Sequence, residues 1–365
     1  MTLQKGTIII MKIKKNEIET PALLVDLDIL EFNIQKMADY FKDKKSKLRP
    51  HFKTHKSVTI AQMQIEAGAK GICCAKLGEA QVLVAAGIRD ILIANQVVDS
   101  DKVYRLAALA NNTRLSVCVD NTENIAELSR AAEAYGSTIY VLVELEVGMG
   151  RCGVDTKEEA LKLAKQIDTS KGLVFEGFQA YTGQLSLKKD HTERIKGTLD
   201  AEAFVLETKK HLEENGISVK EISGAGTGTY NIPGTHDIWT EIQAGSYVFM
   251  DSDYGELGLG FGKSLSVLTT VIHKRAGNAI TDAGKKVCCQ EKGVPILKDY
   301  PELSVKLNEE HGKIEDEKDE LNYLQKLEYI PSHCCATVNL HDNFYCVRND
   351  LLEVVWPVSA RGISR

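Results

Sequence analysis

The chain has 365 residues, 43% of them apolar and 26% charged, with a formal net charge of -6. This is the make-up of an ordinary globular protein with length enough for one large and one smaller domain. The acidic balance gives no electrostatic reason to expect nucleic acid or an anionic membrane as partner, and no apolar run is long enough to cross a bilayer. Nine cysteines are an odd number with three adjacent pairs, Cys73-Cys74, Cys288-Cys289 and Cys334-Cys335. Neighbouring cysteines close only a strained ring, so reduced thiols are expected. Residues 1–10 carry one lysine and too short an apolar run for a secretory signal, and Met11 offers a second start. The expected compartment is therefore the cytoplasm.

The segment before Thr20 is read as an added strand of a later β-rich unit. From Thr20 to about Tyr247, short apolar runs alternate with helical patterns. In the first helix Asp28 is the expected N-cap with Glu31 three residues on, and Leu30, Ile34, Met37, Ala38 and Phe41 share one face. Strands are predicted at 48–53, 71–76, 90–95, 114–120, 138–147, 175–181, 221–227 and 241–247. Helices are predicted between them at 58–67, 78–86, 101–110, 122–135, 157–167 and 191–214. Eight strands alternating with helices predict a (β/α)8 TIM barrel. An open doubly wound sheet is the competitor, but no Gly-x-Gly-x-x-Gly follows the first strand, and polar, Gly-rich chemistry recurs at strand C-terminal ends.

After Asp251 the runs become short and alternating, at 265–273, 286–290, 329–330, 335–340, 344–347 and 352–356. They predict a β-rich second domain, interrupted at 308–320 by an acidic, lysine-rich stretch that reads as a solvated loop or helix face. The expected division is a barrel at 20–255 and a β-rich domain formed by 1–19 and 256–365.

Lys53 ends the first predicted barrel strand inside Arg49-Pro50-His51-Phe52-Lys53-Thr54-His55-Lys56. An amine at the mouth of a parallel barrel is placed to condense with an aldehyde cofactor; the competing reading is one more surface lysine in a basic stretch. Ser223-Gly224-Ala225-Gly226-Thr227-Gly228-Thr229 follows the seventh strand and Gly245-Ser246-Tyr247 closes the eighth. Glycines let backbone N–H groups approach an anion, and these two loops are the usual phosphate site of the fold. Arg151, just past the fifth strand, is a candidate for the cofactor or a substrate carboxylate, or else pairs with Glu144 or Glu146. Tyr181, ending the sixth strand, lines the mouth or packs at its rim. His333 and Cys335 share a face if 333–335 is a strand, and imidazole with thiolate suits zinc; two ligands are few, and the spacing alone is weak.

Taken together, the pattern resembles the alanine-racemase-type (fold type III) pyridoxal-phosphate enzymes, and within them the D-threonine aldolase and D-serine dehydratase group. The matching stretches are 20–26, Arg49–Lys56, 150–154, 178–181, 224–230, 241–251, 331–340 and 356–362. The resemblance implies pyridoxal 5'-phosphate bound through Lys53, with Tyr181 catalytic beside it. It further implies Arg151, Tyr181, Gly226, Thr227, Gly228, Gly245, Ser246 and Tyr247 around the cofactor. His333 and Cys335 fall on the family's metal pair, for zinc, manganese or magnesium. A homodimer is implied, with a partner subunit completing the site because the metal pair and Lys53 belong to different domains.

The implied reaction is a retro-aldol cleavage of a β-hydroxy D-amino acid to glycine and an aldehyde, as in D-threonine aldolase. The alternative is a D-serine or 3-hydroxyaspartate dehydratase, releasing a 2-oxo acid and ammonia. Gln179-Ala180-Tyr181 and 246–251 look like the aldolases. Two departures stand beside this: Cys335, more like the dehydratases, stands where aldolases more often have aspartate, and Ser186-Leu187 stands in the register of their Gln-His pair, which bears on the acid/base step at the substrate hydroxyl and on the exact substrate.

Overall fold

The computed structural model describes residues 13–365; the strand expected within 1–12 and the choice between Met1 and Met11 lie outside the described residues. The chain enters through β1 (Ala22–Asp26) and α1 (Leu27–Phe41). Strand and helix then alternate through β2 (Lys47–Leu48), α2 (Val58–Glu66), β3 (Ile72–Cys74), α3 (Leu77–Ala85), β4 (Asp90–Ile93), α4 (Ser100–Ala110) and β5 (Arg114–Val119). The series continues with α5 (Thr122–Tyr135), β6 (Ile139–Glu144), α6 (Lys157–Thr169), β7 (Leu173–Ala180), α7 (His191–Glu214), β8 (Glu221–Gly224) and β9 (Glu241–Ile242). Side chains of Ser57, Asp99, Asn121, Thr156 and Asp190 each accept a backbone N–H at the start of the following helix, which is why these helices begin where they do.

β2 to β9 make one parallel eight-stranded sheet in the order β2-β9-β8-β7-β6-β5-β4-β3. Its ends meet: His51 bridges Cys73, and Cys73 N–H donates to the Pro50 carbonyl at 2.9 Å. The predicted barrel is therefore closed. Its N-terminal end is plugged by charge, because Arg49, almost fully buried, pairs with Glu241 at 2.8 Å and Asp90 at 2.7 Å. Arg114 extends the network to Asp90 and Glu176, and Lys70 to Glu221 and Glu241. Above this plug Leu92, Cys118 and Leu142 form a small apolar layer.

The rest is a second sheet, reached through α8 (Ser252–Gly255). It contains β10 (Leu265–Arg275), β11 (Asn278–Thr281), β12 (Ile296–Leu297), β13 (Val305–Leu307), β14 (Gly312–Glu315) and β15 (Lys326–Ile330). After the short helix α9 (Cys334–Val338) come β16 (Asn343–Arg348) and β17 (Leu351–Pro357). The strand order is β13-β14-β11-β10-β1-β16-β17, with β15 added on β10 and β12 on β15. A single apolar core runs from the barrel into this sheet.

Several expectations change. β1 pairs with β10 and β16, so residues 22–26 belong to the second sheet and not to the barrel, which starts at Leu27. Its run Ala22–Val25 is buried on both faces, a pattern that a barrel strand shares. The first helix is capped by Asp26, accepting from Ile29 N–H at 3.1 Å; Asp28 and Glu31 lie on the surface and bind Arg348. Residues 286–290 form no strand, whereas the charged stretch 308–320 contains β14, whose Ile314 is buried between exposed Lys313 and Glu315. Finally, 335–340 is not extended: His333 is the N-cap residue of α9. Cys334 N–H donates to Asp251 at 3.0 Å and Thr337 N–H to the His333 carbonyl, which turns the chain into helix.

Candidate active site at the mouth of the barrel

Backbone pairing continues past β2 as far as His51, whose N–H donates to the Ala244 carbonyl, and residues Phe52–Thr54 then close into a 3-10 turn. Lys53 thus sits in the turn just above the strand, not within it. Its Nζ stands 5.3 Å from the centre of the Tyr181 ring, and the Arg151 guanidinium stands 5.7 Å from the same ring. The three side chains border a cavity of about 180 Å³ whose wall also includes His51, Asn95, Gln179 and Gln243. Gln243 Nε2 donates to Gln179 Oε1 at 2.6 Å and Ser223 Oγ at 2.7 Å, fixing an uncharged floor.

Arg151 is anchored from below. Its guanidinium donates to Glu144 at 3.3 Å, and its backbone N–H to Glu146 at 3.1 Å. Glu144 is buried, which raises its pKa, and Gln96 donates to its other oxygen at 2.7 Å. Arg151 thus pairs through its side chain with Glu144 and also borders the cavity. His51 accepts from Lys53 N–H through Nδ1 at 3.3 Å, leaving Nε2 as the protonated nitrogen. Burial, then the charges of Lys53, His55 and Arg151, hold its pKa well below the usual histidine value.

The two glycine loops meet beside Tyr181. Ala225 adopts φ 57°, turning the backbone of 224–229, and Thr227 Oγ1 accepts from Tyr247 N–H at 3.1 Å. A β-carbon added at Gly226 would stand 3.1 Å from Ser186 Oγ and 4.0 Å from the Tyr181 hydroxyl. Ser186 Oγ is itself buried without a hydrogen-bond partner. A phosphate in that space would take up the orphaned hydroxyl, so the residues present fit the group. Gly228 and Gly245 have a different reason to be glycine. A β-carbon would lie 1.8 Å from the Ser186 carbonyl oxygen at the former and 2.5 Å from Thr54 Oγ1 at the latter. Tyr247 also differs from expectation: its ring is fully buried and its hydroxyl accepts from Gln64 at 2.9 Å, so only its backbone faces the loop.

Cys335 lies against the same turn as Lys53, with His333 beside it. Cys335 Sγ is 3.4 Å from Thr54 Oγ1 and 3.8 Å from Ser246 Oγ. One chain thus places the Cys335 thiol of the second domain against the turn that carries Lys53. A hydrogen bond from Cys334, with His333 beside it, holds the Cys335 thiol well below its ordinary pKa, while Cys334 is pushed up. His333 Nδ1 meets the Glu291 carboxylate at 2.8 Å, which orients the ring. Imidazole and thiolate form a donor set suited to zinc. Among the described residues no group of three or more His, Cys, Asp or Glu is placed to hold a metal ion.

Sequence reasoning missed His51, Asn95, Gln179 and Gln243 as wall residues, and the buried hydroxyl of Ser186 beside Gly226. Gln243 was detectable, standing two residues after buried Glu241 on the same side of an extended segment. Ser186 carried no signal of its own.

A model of the alanine racemase N-terminal domain matches residues 25–253, and one of a serine dehydratase domain matches 264–347. The 3-hydroxy-D-aspartate aldolase of Paracoccus denitrificans (strain Pd 1222) is 41% identical over 362 residues, 95% of this chain and 93% of that protein. The D-threo-3-hydroxyaspartate dehydratase of Delftia sp. (strain HT23) is 28% identical, over 88% and 92%. The crystal structure of D-threonine aldolase from Filomicrobium marinum superposes with TM-score 0.94 and 38% identity, covering 97% of this chain and 99% of that one.

Proposed function

Because the chain belongs to the fold type III, alanine-racemase-like family of pyridoxal-phosphate enzymes, in its D-threonine aldolase and D-serine dehydratase branch, we propose that it cleaves β-hydroxy D-amino acids to glycine and an aldehyde with a divalent metal. One observation carries this reading. An amine, a phenol and a guanidinium share a cavity, and a thiol with an imidazole beside it stands against the turn that carries the amine.

Lys53 would hold the cofactor's aldehyde, and Ser186 with the backbone of 224–229 its phosphate. His333 and Cys335 would hold the metal, with zinc favoured by the donor set. When bound, the cofactor draws electrons from the substrate's Cα and the metal acts as a Lewis acid at its β-hydroxyl. Arg151, held by Glu144, presents a fixed cation to an anionic oxygen at the cavity edge. His51, neutral and with Nδ1 already accepting, offers the cavity an N–H donor and not a base. Leu187 brings no proton acceptor to the register where aldolases have histidine, which leaves Tyr181 as the proton carrier beside Lys53.

A second reading, dehydration to a 2-oxo acid and ammonia, is favoured by the thiol of Cys335 and differs in using Lys53 to take the α-proton. The identity of 41% with an aldolase against 28% with a dehydratase supports the first. A homodimer and a cytoplasmic setting go with the proposal, the latter supported by nine cysteines that are all unpaired. Incubation with D-threonine, D-3-hydroxyaspartate and D-serine, with pyridoxal phosphate and zinc supplied, separates the readings. Glycine accumulates if the proposal is right, 2-oxo acid and ammonia if the second holds, and the absence of both refutes the two together.

A further inference from the structure

Lys56 lies three residues beyond Lys53 and does not border the cavity. Its backbone sits at φ 48°, in the left-handed region that glycine enters freely and other side chains resist. A lysine there needs a reason in its side chain, and the structure supplies one. The buried ammonium donates to Asn339 Oδ1 at 2.8 Å and Ser364 Oγ at 3.0 Å, with the Glu79 carboxylate 3.8 Å away. Each partner comes from a different segment. Asn339 is the C-cap residue of α9, the helix that opens at His333 and carries Cys335. Ser364 belongs to the stretch after β17, which also crosses this face through Ala360 N–H donating to the Lys56 carbonyl at 3.0 Å. Glu79 accepts from Ala75 and Lys76 N–H at the start of α3.

α9 touches the Lys53 turn at both ends, through Cys335 on Thr54 and through Asn339 on Lys56. α9 is held at its start by Cys334 N–H on Asp251 and in its middle by Cys289 N–H on Thr337 Oγ1, and the Lys56 amine supplies the hold at its C-terminal end. We propose that Lys56 is a positioning residue whose amine holds α9 to the Lys53 turn and so fixes His333 and Cys335 relative to Lys53. This rests on the reading of His333 and Cys335 as a metal pair.

The test is zinc affinity of the cofactor-loaded protein, measured by competition with a fluorescent chelator, in Lys56→Gly and Asn339→Ala. Glycine suits the backbone and removes only the hub, while Asn339→Ala leaves the amine with Ser364 and Glu79 and decides the matter if Lys56→Gly does not fold. Both variants are expected to bind zinc about 10–100-fold more weakly, the range for groups that orient metal ligands. The absorbance of the cofactor joined to Lys53 should stay unchanged. Zinc affinity within twofold of the wild type overturns the inference, as does loss of the cofactor band in step with zinc. His333→Ala, run in parallel, tests the underlying reading: if it binds zinc as the wild type does, the metal pair is wrong and the inference falls with it.

Discussion

Ser186→Ala should move two properties in opposite directions. Ser186 Oγ is buried without a partner, and a hydroxyl in that state costs about 1–3 kcal/mol of desolvation that alanine does not incur. Spread over the unfolding entropy of 365 residues, that gain raises the melting temperature of the cofactor-free protein by about 1–4 °C. With phosphate present the same hydroxyl makes a charge-assisted hydrogen bond worth about 1.5–3 kcal/mol, so its loss weakens cofactor binding by about 10–100-fold. Thermal melts of the cofactor-free protein and a fluorescence titration with pyridoxal phosphate measure the two signs separately. A melting temperature that falls, together with unchanged cofactor affinity, would refute the assignment of Ser186 to the phosphate. It would make the hydroxyl an ordinary part of the turn that Gly228 approaches.

Other outcomes follow from the same geometry. Glu241→Gln removes a carboxylate from almost fully buried Arg49 and should destabilise the barrel by about 3–5 kcal/mol, read by denaturant unfolding. Burial alone would raise Glu241, but Arg49 and Lys70 overcome it and hold its pKa below the ordinary value. Its stabilisation is therefore complete above the usual carboxylate range and lost as pH falls through the folded value, so the acid limb of the unfolding curve should flatten in Glu241→Gln. Glu144→Gln weakens the anchor of Arg151 and should lower kcat/KM about tenfold with little change in melting temperature; an unchanged kcat/KM would show that Arg151 needs no such support. Dialysis against a chelator should abolish activity and zinc should restore it, whereas His333→Ala should stay inactive after zinc is added back. Activity that survives chelation would remove the metal from the proposal.

The legible part of the site was the part written in contiguous residues. Lys53, Arg151, Tyr181 and the 224–229 loop each follow a strand, and a closed barrel brings every strand's C-terminal end to one mouth. The pairing of His333 with Cys335 was legible as residue types but not as conformation, because the cap that makes α9 a helix is Asp251, 83 positions away in sequence. The direction of the Tyr247 side chain was not legible for a related reason. Its backbone N–H donates to Thr227 Oγ1, while its hydroxyl accepts from Gln64 on α2 and its ring lies in the core. Gly228 and Gly245 looked like ligand glycines and are needed for close approaches between chain segments.

By itself the sequence determined the barrel, since the alternation of apolar runs with capped helices is a local property of each segment and survives without knowledge of the others. It determined the chemistry on offer as well: an amine, a phenol, a guanidinium, an imidazole and a thiol at strand and helix ends. Only the tertiary structure decided that 22–26 joins the second sheet, because apolar residues buried on both faces look alike in either sheet. It alone also decided that the Cys335 thiol stands against the turn carrying Lys53, through contacts such as Thr54 to Cys335 and Lys56 to Asn339, separated by more than 280 positions. Contacts of that span leave no periodicity or spacing in the sequence, and they exist only once both domains have folded against each other.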